Sequence, residues 1–372
     1  MIPKTFSSIE GLRGWMAWWV VIGHAMHLAG SPNWLPPELK KIALKGDSAV
    51  NIFIIVSGFV ITHLLLSRHE SYIRYITKRF FRLFPVYVVC GMLALYTLPE
   101  YVYAYVALPY AHDSAMRIER IQATEANFPE HLFWHLTILH GLVPEGLLRY
   151  ASSSILAPAW SLSLEWQFYL LAPFIVPVFA TGFARKTRLL VTTLACAFLF
   201  VLSKLYLKDQ YQYPSMLFLS IHFFMFGILT RIFLDLKRYR ALVLLVPTTL
   251  LIWKPLEGVI WMVWCCFIFC EAGLIHHGVL SKAINIAARW LATNPINTLL
   301  GRWSFSTYLV HIPLFSVAVA TLPVLRHTVT QDAVWFALLV AMLLLPLVSW
   351  FLYRHVEMAG IRWGGKLAAR LS

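Results

Sequence analysis

Blocks of about 20 apolar residues recur from one end of this chain to the other, and that repetition constrains its fold more than any single motif does. A helix of about 20 residues crosses the hydrocarbon of a bilayer. Backbone groups there have no water to bond, which leaves helices or closed barrels. Barrel strands alternate apolar and polar residues with period two, whereas these blocks are apolar on every face. The predicted fold is therefore all-α, a polytopic membrane helical bundle of about ten transmembrane helices. The candidate helices are 12–30, 48–66, 84–99, 159–180, 188–206, 214–234, 241–254, 256–275, 301–322 and 333–353, of which 84–99 and 241–254 are short. Composition agrees: 59% of the 372 residues are hydrophobic and 13% charged, against about 45–50% and about 25% in soluble domains.

The net charge is +14, with most basic residues flanking the apolar blocks. There they report topology and meet anionic lipid headgroups, so nucleic acid is not the expected partner. With the N-terminus inside, about two thirds of the 31 Lys and Arg fall in the inner segments. That bias predicts that both termini are cytoplasmic and that the number of spans is even. The first apolar stretch is too long and too rich in tryptophan for a signal peptide and is expected to remain as the first membrane helix. One membrane domain is expected over 1–372, with a basic cytoplasmic segment at 67–83 and a long external loop at 100–158. All of the cysteines (Cys90, Cys196, Cys265, Cys266 and Cys270) fall in apolar blocks, so neither disulfides nor a metal site is expected.

Ionisable side chains at membrane depth are costly and face the protein interior or a water-filled cavity, so each one is a functional lead. In "GLRGWMAWWVVIGHAMHLAG", residues 11–30, Arg13 and His24 are eleven apart. Eleven residues are close to three helical turns, which puts both on one face roughly 16 Å apart along the axis. Helix geometry leaves both His24 and His27 open as the titratable base. In "KRFFRLFPVY", Arg79 and Arg82 share a helix face, and such a pair can grip a phosphate or anchor to lipid. Pro85 fits the first turn of the next span. In "PAWSLSLEWQFYLLAP", Glu165 is buried in an apolar helix with Ser161 one turn before it. In "GRWSFSTYLVHIPLF", Ser304, Tyr308 and His311 form one polar stripe. Ser57 and Gly58 read as packing, with Ser57 also placed to wall a site. His131 and His135 have the i,i+4 spacing of zinc ligands but no third ligand nearby, and an interfacial helix is the expected reading.

Taken in order, "GLRG" with its later His24, "SGF", "KRFFRLFP", "WSLSLEWQFYLLAP" and "LGRWSFSTYLVHIPL" resemble the acyltransferase-3 family of integral-membrane O-acyltransferases. The resemblance runs from about residue 7 to about 357. It implies about ten membrane helices in a bacterial cytoplasmic membrane. The implied reaction moves an acyl group, usually acetyl from acetyl-CoA, to a hydroxyl of a carbohydrate, glycolipid or related small molecule. By motif, the family's essential arginine and histidine fall on Arg13 and His24, and its paired arginines on Arg79 and Arg82. Its glutamate falls on Glu165, and its late serine, tyrosine and histidine on Ser304, Tyr308 and His311. The implied roles make His24 the general base, with Arg13, Arg79 and Arg82 on the phosphates of acyl-CoA. Glu165, Ser57, Ser161 and the late stripe would orient the base or bind the acceptor. No permanently bound cofactor is implied, and oligomeric state is not legible.

The sequence departs from the pattern at Asn51, where many relatives carry aspartate and where Asp47, one turn earlier, is the only substitute in sight. It departs again after Glu357, which "MAG" follows instead of proline, and it shows no C-terminal hydrolase-like domain. A proton-coupled transporter or flippase is the alternative, since intramembrane His, Glu and Arg suit transport too. The paired broken helices of many transporters are not evident.

Overall fold

The computed structural model describes residues 6–68, 70–108, 111–182, 186–235, 242–273, 279–322 and 329–371, and all regular structure among them is helical. Helices α1 (Ser7–Ala29), α2 (Pro37–Ala43), α3 (Gly46–Ser67) and α4 (Tyr72–Tyr96) are followed by three shorter ones, α5 (Leu98–Ala107), α6 (Ser114–Ala126) and α7 (Phe128–Leu136). Then come α8 (Trp160–Gly182), α9 (Lys186–Tyr206), α10 (Leu217–Asp235), α11 (Leu242–Trp253) and α12 (Pro255–Glu271). The chain ends with α13 (Val279–Leu291), α14 (Pro295–Ala320), α15 (Gln331–Leu352) and α16 (Met358–Arg370). A π-helical turn, Tyr353–Glu357, joins the last two.

Every apolar block of the sequence coincides with a helix, but the described residues support six spans by length and composition. These are α3, α4, Ala157–Thr181, α10, α14 and the run Gln331–Arg370. Helix α1 is long enough, but its tryptophans, histidines, Glu10 and Arg13 lower its hydropathy. Helices α11 and α12 are shorter than the about 20 residues a perpendicular crossing needs. The chain is thus a helical membrane protein.

Two expected segments take another form. The basic stretch 67–83 is not a separate piece: α4 runs unbroken from Tyr72 through Arg79 and Arg82 into its apolar half, with Pro85 inside it. A proline at 85 cannot donate to the carbonyl of Phe81, and α16 covers that carbonyl. A Cβ built on Gly360 would lie 2.5 Å from Phe81 O and 2.7 Å from Pro85 Cγ, so only glycine lets the helices meet there. The long stretch 100–158 folds into α5, α6 and α7.

Glycines also set the two closest helix contacts. A Cβ on Gly58 of α3 would lie 2.3 Å from Phe224 O, and one on Gly227 of α10 would lie 2.0 Å from Ile55 O. Between α1 and α14, a Cβ on Gly301 would lie 1.8 Å from Glu10 O, and one on Gly14 would lie 2.7 Å from Asn297 Oδ1. Asn297 fastens the same contact, donating to Gly11 O (3.1 Å) and Leu291 O (2.7 Å). Without hydrophobic drive between helices in lipid, such close packing is what holds them. The N-terminus of α1 is capped from α12, where the Glu271 carboxylate accepts from Ser8 N at 3.2 Å and from Ser8 Oγ at 2.5 Å. That carboxylate also faces the positive end of the helix dipole.

Outside the spans, His135 and His140 stack in parallel with centroids 4.0 Å apart. His135 Nδ1 pairs with Tyr87 OH at 2.5 Å and its Nε2 with Ser154 Oγ at 2.8 Å, while His140 Nε2 donates to Ala159 O at 3.1 Å. Burial lowers both histidines, His140 to about 4. Both protonate more readily once unfolded, so stability is full above the ordinary 6.5 and falls with pH below it, for His140 down to about 4.

Two outcomes follow. Gly227→Ala, and separately Gly301→Ala, lowers stability by about 1–3 kcal/mol as overpacked contacts do, measured by thermal unfolding in detergent; wild-type stability would contradict the contact. Stability falls by roughly 3 kcal/mol for His140 alone between pH 6.5 and 4, and His140→Gln flattens that fall.

Candidate active site

Because α1 is continuous from Ser7 to Ala29, Arg13 and His24 keep the shared face that their spacing dictates. Arg13 opens onto a cavity of about 190 Å³ enclosed by α1, α3, α4, α8, α10 and α14. Glu10 and Arg13 enter from α1, Ser57 from α3, and Arg79 and Arg82 from α4. Ser161, Glu165 and Tyr169 enter from α8, and Ser304 and Tyr308 from α14. Five helices distant in sequence thus bring most of the polar residues singled out from the sequence to one hollow.

Its arginines share the hollow with carboxylates, and Glu165, Glu357 and Glu10 all lie within electrostatic reach of Arg82. The nearest acid to Arg13 is Glu10, at 3.8 Å, and their side chains are 18% and 38% exposed, so the hollow reaches the surface there. Arg79 Nε is buried without a hydrogen-bond partner among the described residues. Glu357, 2% exposed, lies within electrostatic reach of Arg82 and Arg13 and accepts from Ser306 Oγ at 3.2 Å. Three guanidiniums in a low-dielectric wall attract an anion strongly.

The hollow is also rich in hydroxyls, some of them close to the arginines. Glu165 Oε1 accepts from Ser57 Oγ at 2.9 Å and from the Tyr169 hydroxyl one turn along its own helix. Ser161 Oγ and Tyr308 OH are 2.9 Å apart, and Tyr308 OH also donates to Pro158 O at 3.0 Å. Ser304 Oγ is fully buried and has no partner among the described residues.

His24 and His311 stand just beyond this hollow, not on its wall. His24 Nδ1 and His311 Nε2 are 2.8 Å apart, with the rings stacked at a centroid distance of 5.0 Å. His311 Nδ1 lies 3.2 Å from Thr307 O, an acceptor only. The hydrogen-bond pattern therefore assigns the proton of His311 to Nδ1, leaving Nε2 to accept from His24 Nδ1–H. His24 Nε2 then keeps its lone pair, the arrangement a general base requires. His27 lies one turn on, with its ring edge-on to His112 at 5.6 Å and its carbonyl accepting from His112 N at 2.8 Å.

Several sequence expectations find other partners. Glu165 is held by Ser57 and Tyr169, and His311 is the residue bonded to His24. Asn51 donates to buried Glu257 Oε1 at 2.9 Å, while Asp47 is exposed in the first turn of α3. An aspartate at 51 would set two carboxylates against each other, which accounts for the amide. His131 and His135 are both buried on α7. Among the described residues no group of three His, Cys, Asp or Glu is arranged for a metal. The described free cysteines are Cys90, Cys265, Cys266 and Cys270; the side chain of Cys196 lies outside the described residues. Glu10, Tyr169 and Glu357 were not singled out as site residues from the sequence. Only the i,i+3 spacing of Glu10 and Arg13 and the four-residue spacing of Glu165 and Tyr169 hint at the first two, while Glu357 stands out in the sequence only for the missing proline after it.

A family model described as an acyltransferase domain matches residues 6–354. An O-acetyl transferase of Shigella phage Sf6 is 27% identical over 176 residues, covering 46% of this chain and 46% of that protein. The chain therefore matches less than half the length of this relative. No solved structure matches. Since the matched family model spans nearly the whole helical bundle, the chain belongs to the acyltransferase-3 family.

Proposed function

We propose that this enzyme transfers an acyl group, acetyl in the first instance, from acyl-CoA to a hydroxyl of a carbohydrate, glycolipid or related small molecule. The observation that carries the reading is one hollow with Arg13, Arg79 and Arg82 at its open end and a histidine pair just past its far wall. The acyl-pantetheine end points into the hollow toward Tyr308, and the phosphates stay with the arginines, on the cytoplasmic side.

The acceptor hydroxyl gives its proton to His24 Nε2 as its oxygen bonds to the thioester carbonyl carbon. His311 acts through His24, as a positioning residue that fixes its tautomer and steadies the imidazolium by the Nδ1 bond. Collapse of the tetrahedral intermediate breaks the carbon–sulfur bond. The coenzyme A thiolate recovers the proton from His24, and an O-acyl ester leaves. Tyr308 lines the cavity on the side of the histidines, and its hydroxyl donates to the oxyanion by turning from Pro158 O, with Ser161 donating to it in turn. Glu165, held by Ser57 and Tyr169, orders the hydroxyl-lined wall. The acetyl reading and the class of acceptor draw on the phage relative's name and on the family.

In purified protein supplied with acetyl-CoA and membrane extract, His24→Ala lowers acyl transfer at least 100-fold, the order expected for a general base, and His27→Ala keeps most of it. Full activity in His24→Ala with loss in His27→Ala would refute the assignment. Arg79→Gln and Arg82→Gln raise the KM for acyl-CoA about tenfold or more, as lost charge-assisted contacts do, with a smaller effect on kcat; an unchanged KM would remove the phosphates from that end.

A further inference from the structure

Helix α14 has a second hollow on the far side of the histidine pair. Ser304 and Tyr308 wall the large cavity and His311 bonds His24. The next residues, Ile312, Pro313 and Ser316, wall a separate cavity of about 30 Å³ with Tyr101 and Arg120. At 1.5 Å per residue, Tyr308 and Ser316 are roughly 12 Å apart along the helix. Along α14, His311, the partner of His24, thus falls between the residues that wall the two hollows.

The small hollow has a buried cation on its wall, Arg120, and a second, Arg117, one turn before it on α6. Arg120 is 3% exposed, and its Nε and Nη1 have no hydrogen-bond partner among the described residues. Its Nη2 meets the Tyr101 hydroxyl. Arg117, 9% exposed, lies over the Tyr105 ring at 4.8 Å and donates to His112 O at 3.3 Å. Neither arginine is among the ion pairs of the described residues, and Glu100 on α5 bonds to neither. Both lie within electrostatic reach of His24. A buried guanidinium with free donors and no counter-ion is costly unless an anion completes it. A volume of 30 Å³ is about twice what one water requires, which matches the two oxygens of a carboxylate. The large cavity already offers three arginines to the phosphates of the donor, so Arg120 belongs to the other substrate.

We propose that the hollow beside Arg120 is the acceptor subsite and that the acceptor is an acidic hydroxy compound, its carboxylate held by the free donors of Arg120 while its hydroxyl reaches His24. This rests on the acyl-transfer reading above. A carboxylate fixed on the outer flank of the histidine pair aims the hydroxyl at the thioester arriving from the opposite cavity.

The test identifies the natural product and then perturbs the subsite. Lipid, glycan and small-metabolite fractions from cells producing the chain and from cells lacking it are compared by mass spectrometry. An added acyl group on a carboxylate-bearing molecule is expected. An added acyl group on a neutral molecule overturns this inference and leaves the acyl-transfer reading standing, whereas no acyl difference in any fraction overturns both. With that acceptor in hand, Arg120→Gln raises its KM at least tenfold while the KM for acetyl-CoA stays within twofold. Arg120→Lys, which keeps the charge, recovers part of the loss. A rise confined to acetyl-CoA, or an acceptor KM unaltered in a folded Arg120→Gln protein, would also overturn it.

Discussion

The close approach of α1 and α14 is the contact on which the site depends. Gly14 and Gly301 remove the side chains that would hold the two backbones apart, and Asn297 fastens the seam from α14. Only with the helices this near does His24, three turns above Arg13, meet His311 at hydrogen-bond distance. Stiff helices transmit that placement. Once the lower contact is fixed, the rise of each helix decides which side chains face each other higher up. A glycine contact more than two turns from the histidines is therefore part of what positions them.

Charge is distributed along the same pair of helices. A hollow that mixes arginines with Glu165 and hydroxyls opens to the surface beside Arg13, and the histidines stand just past Tyr308. In a medium where an unpaired charge is costly, each such group is held by a specific neighbour or left for a ligand. Glu165 has Ser57 and Tyr169, and Glu257 has Asn51. Arg79 retains a free, buried donor facing a cavity. The distinction between satisfied and unsatisfied polar groups separates the parts that hold the bundle together from the parts that await a substrate.

Much of this was legible in the sequence because helices are local. Apolar runs located the helices, and the eleven-residue spacing of Arg13 and His24 put them on one face without any tertiary information. Spacing likewise grouped Ser304, Tyr308 and His311. Which stripes meet was not legible, because contacts between residues hundreds of positions apart leave no periodic trace. Glu165 and His311 were equal candidates to face His24, and only the packing of α14 on α1 decides between them. The run of α4 through Pro85 was hidden for a related reason: a proline normally marks a helix start, and the glycine that covers its orphaned carbonyl is at position 360. Arg117 and Arg120 drew no attention in a polar stretch that read as a loop, since their burial is created by α5 and α14.

The central claim is that the cationic cavity receives the donor and delivers its acyl carbon to His24. The most direct measurement is a structure of the wild-type protein in a lipid nanodisc with a thioether analogue of acetyl-CoA, which binds but cannot transfer. The account predicts phosphates against Arg13, Arg79 and Arg82 and the carbonyl carbon beside Tyr308, within reach of a hydroxyl bonded to His24 Nε2. Phosphates seated instead against Arg117 and Arg120, with the acyl end leading away from the histidine pair, would contradict it.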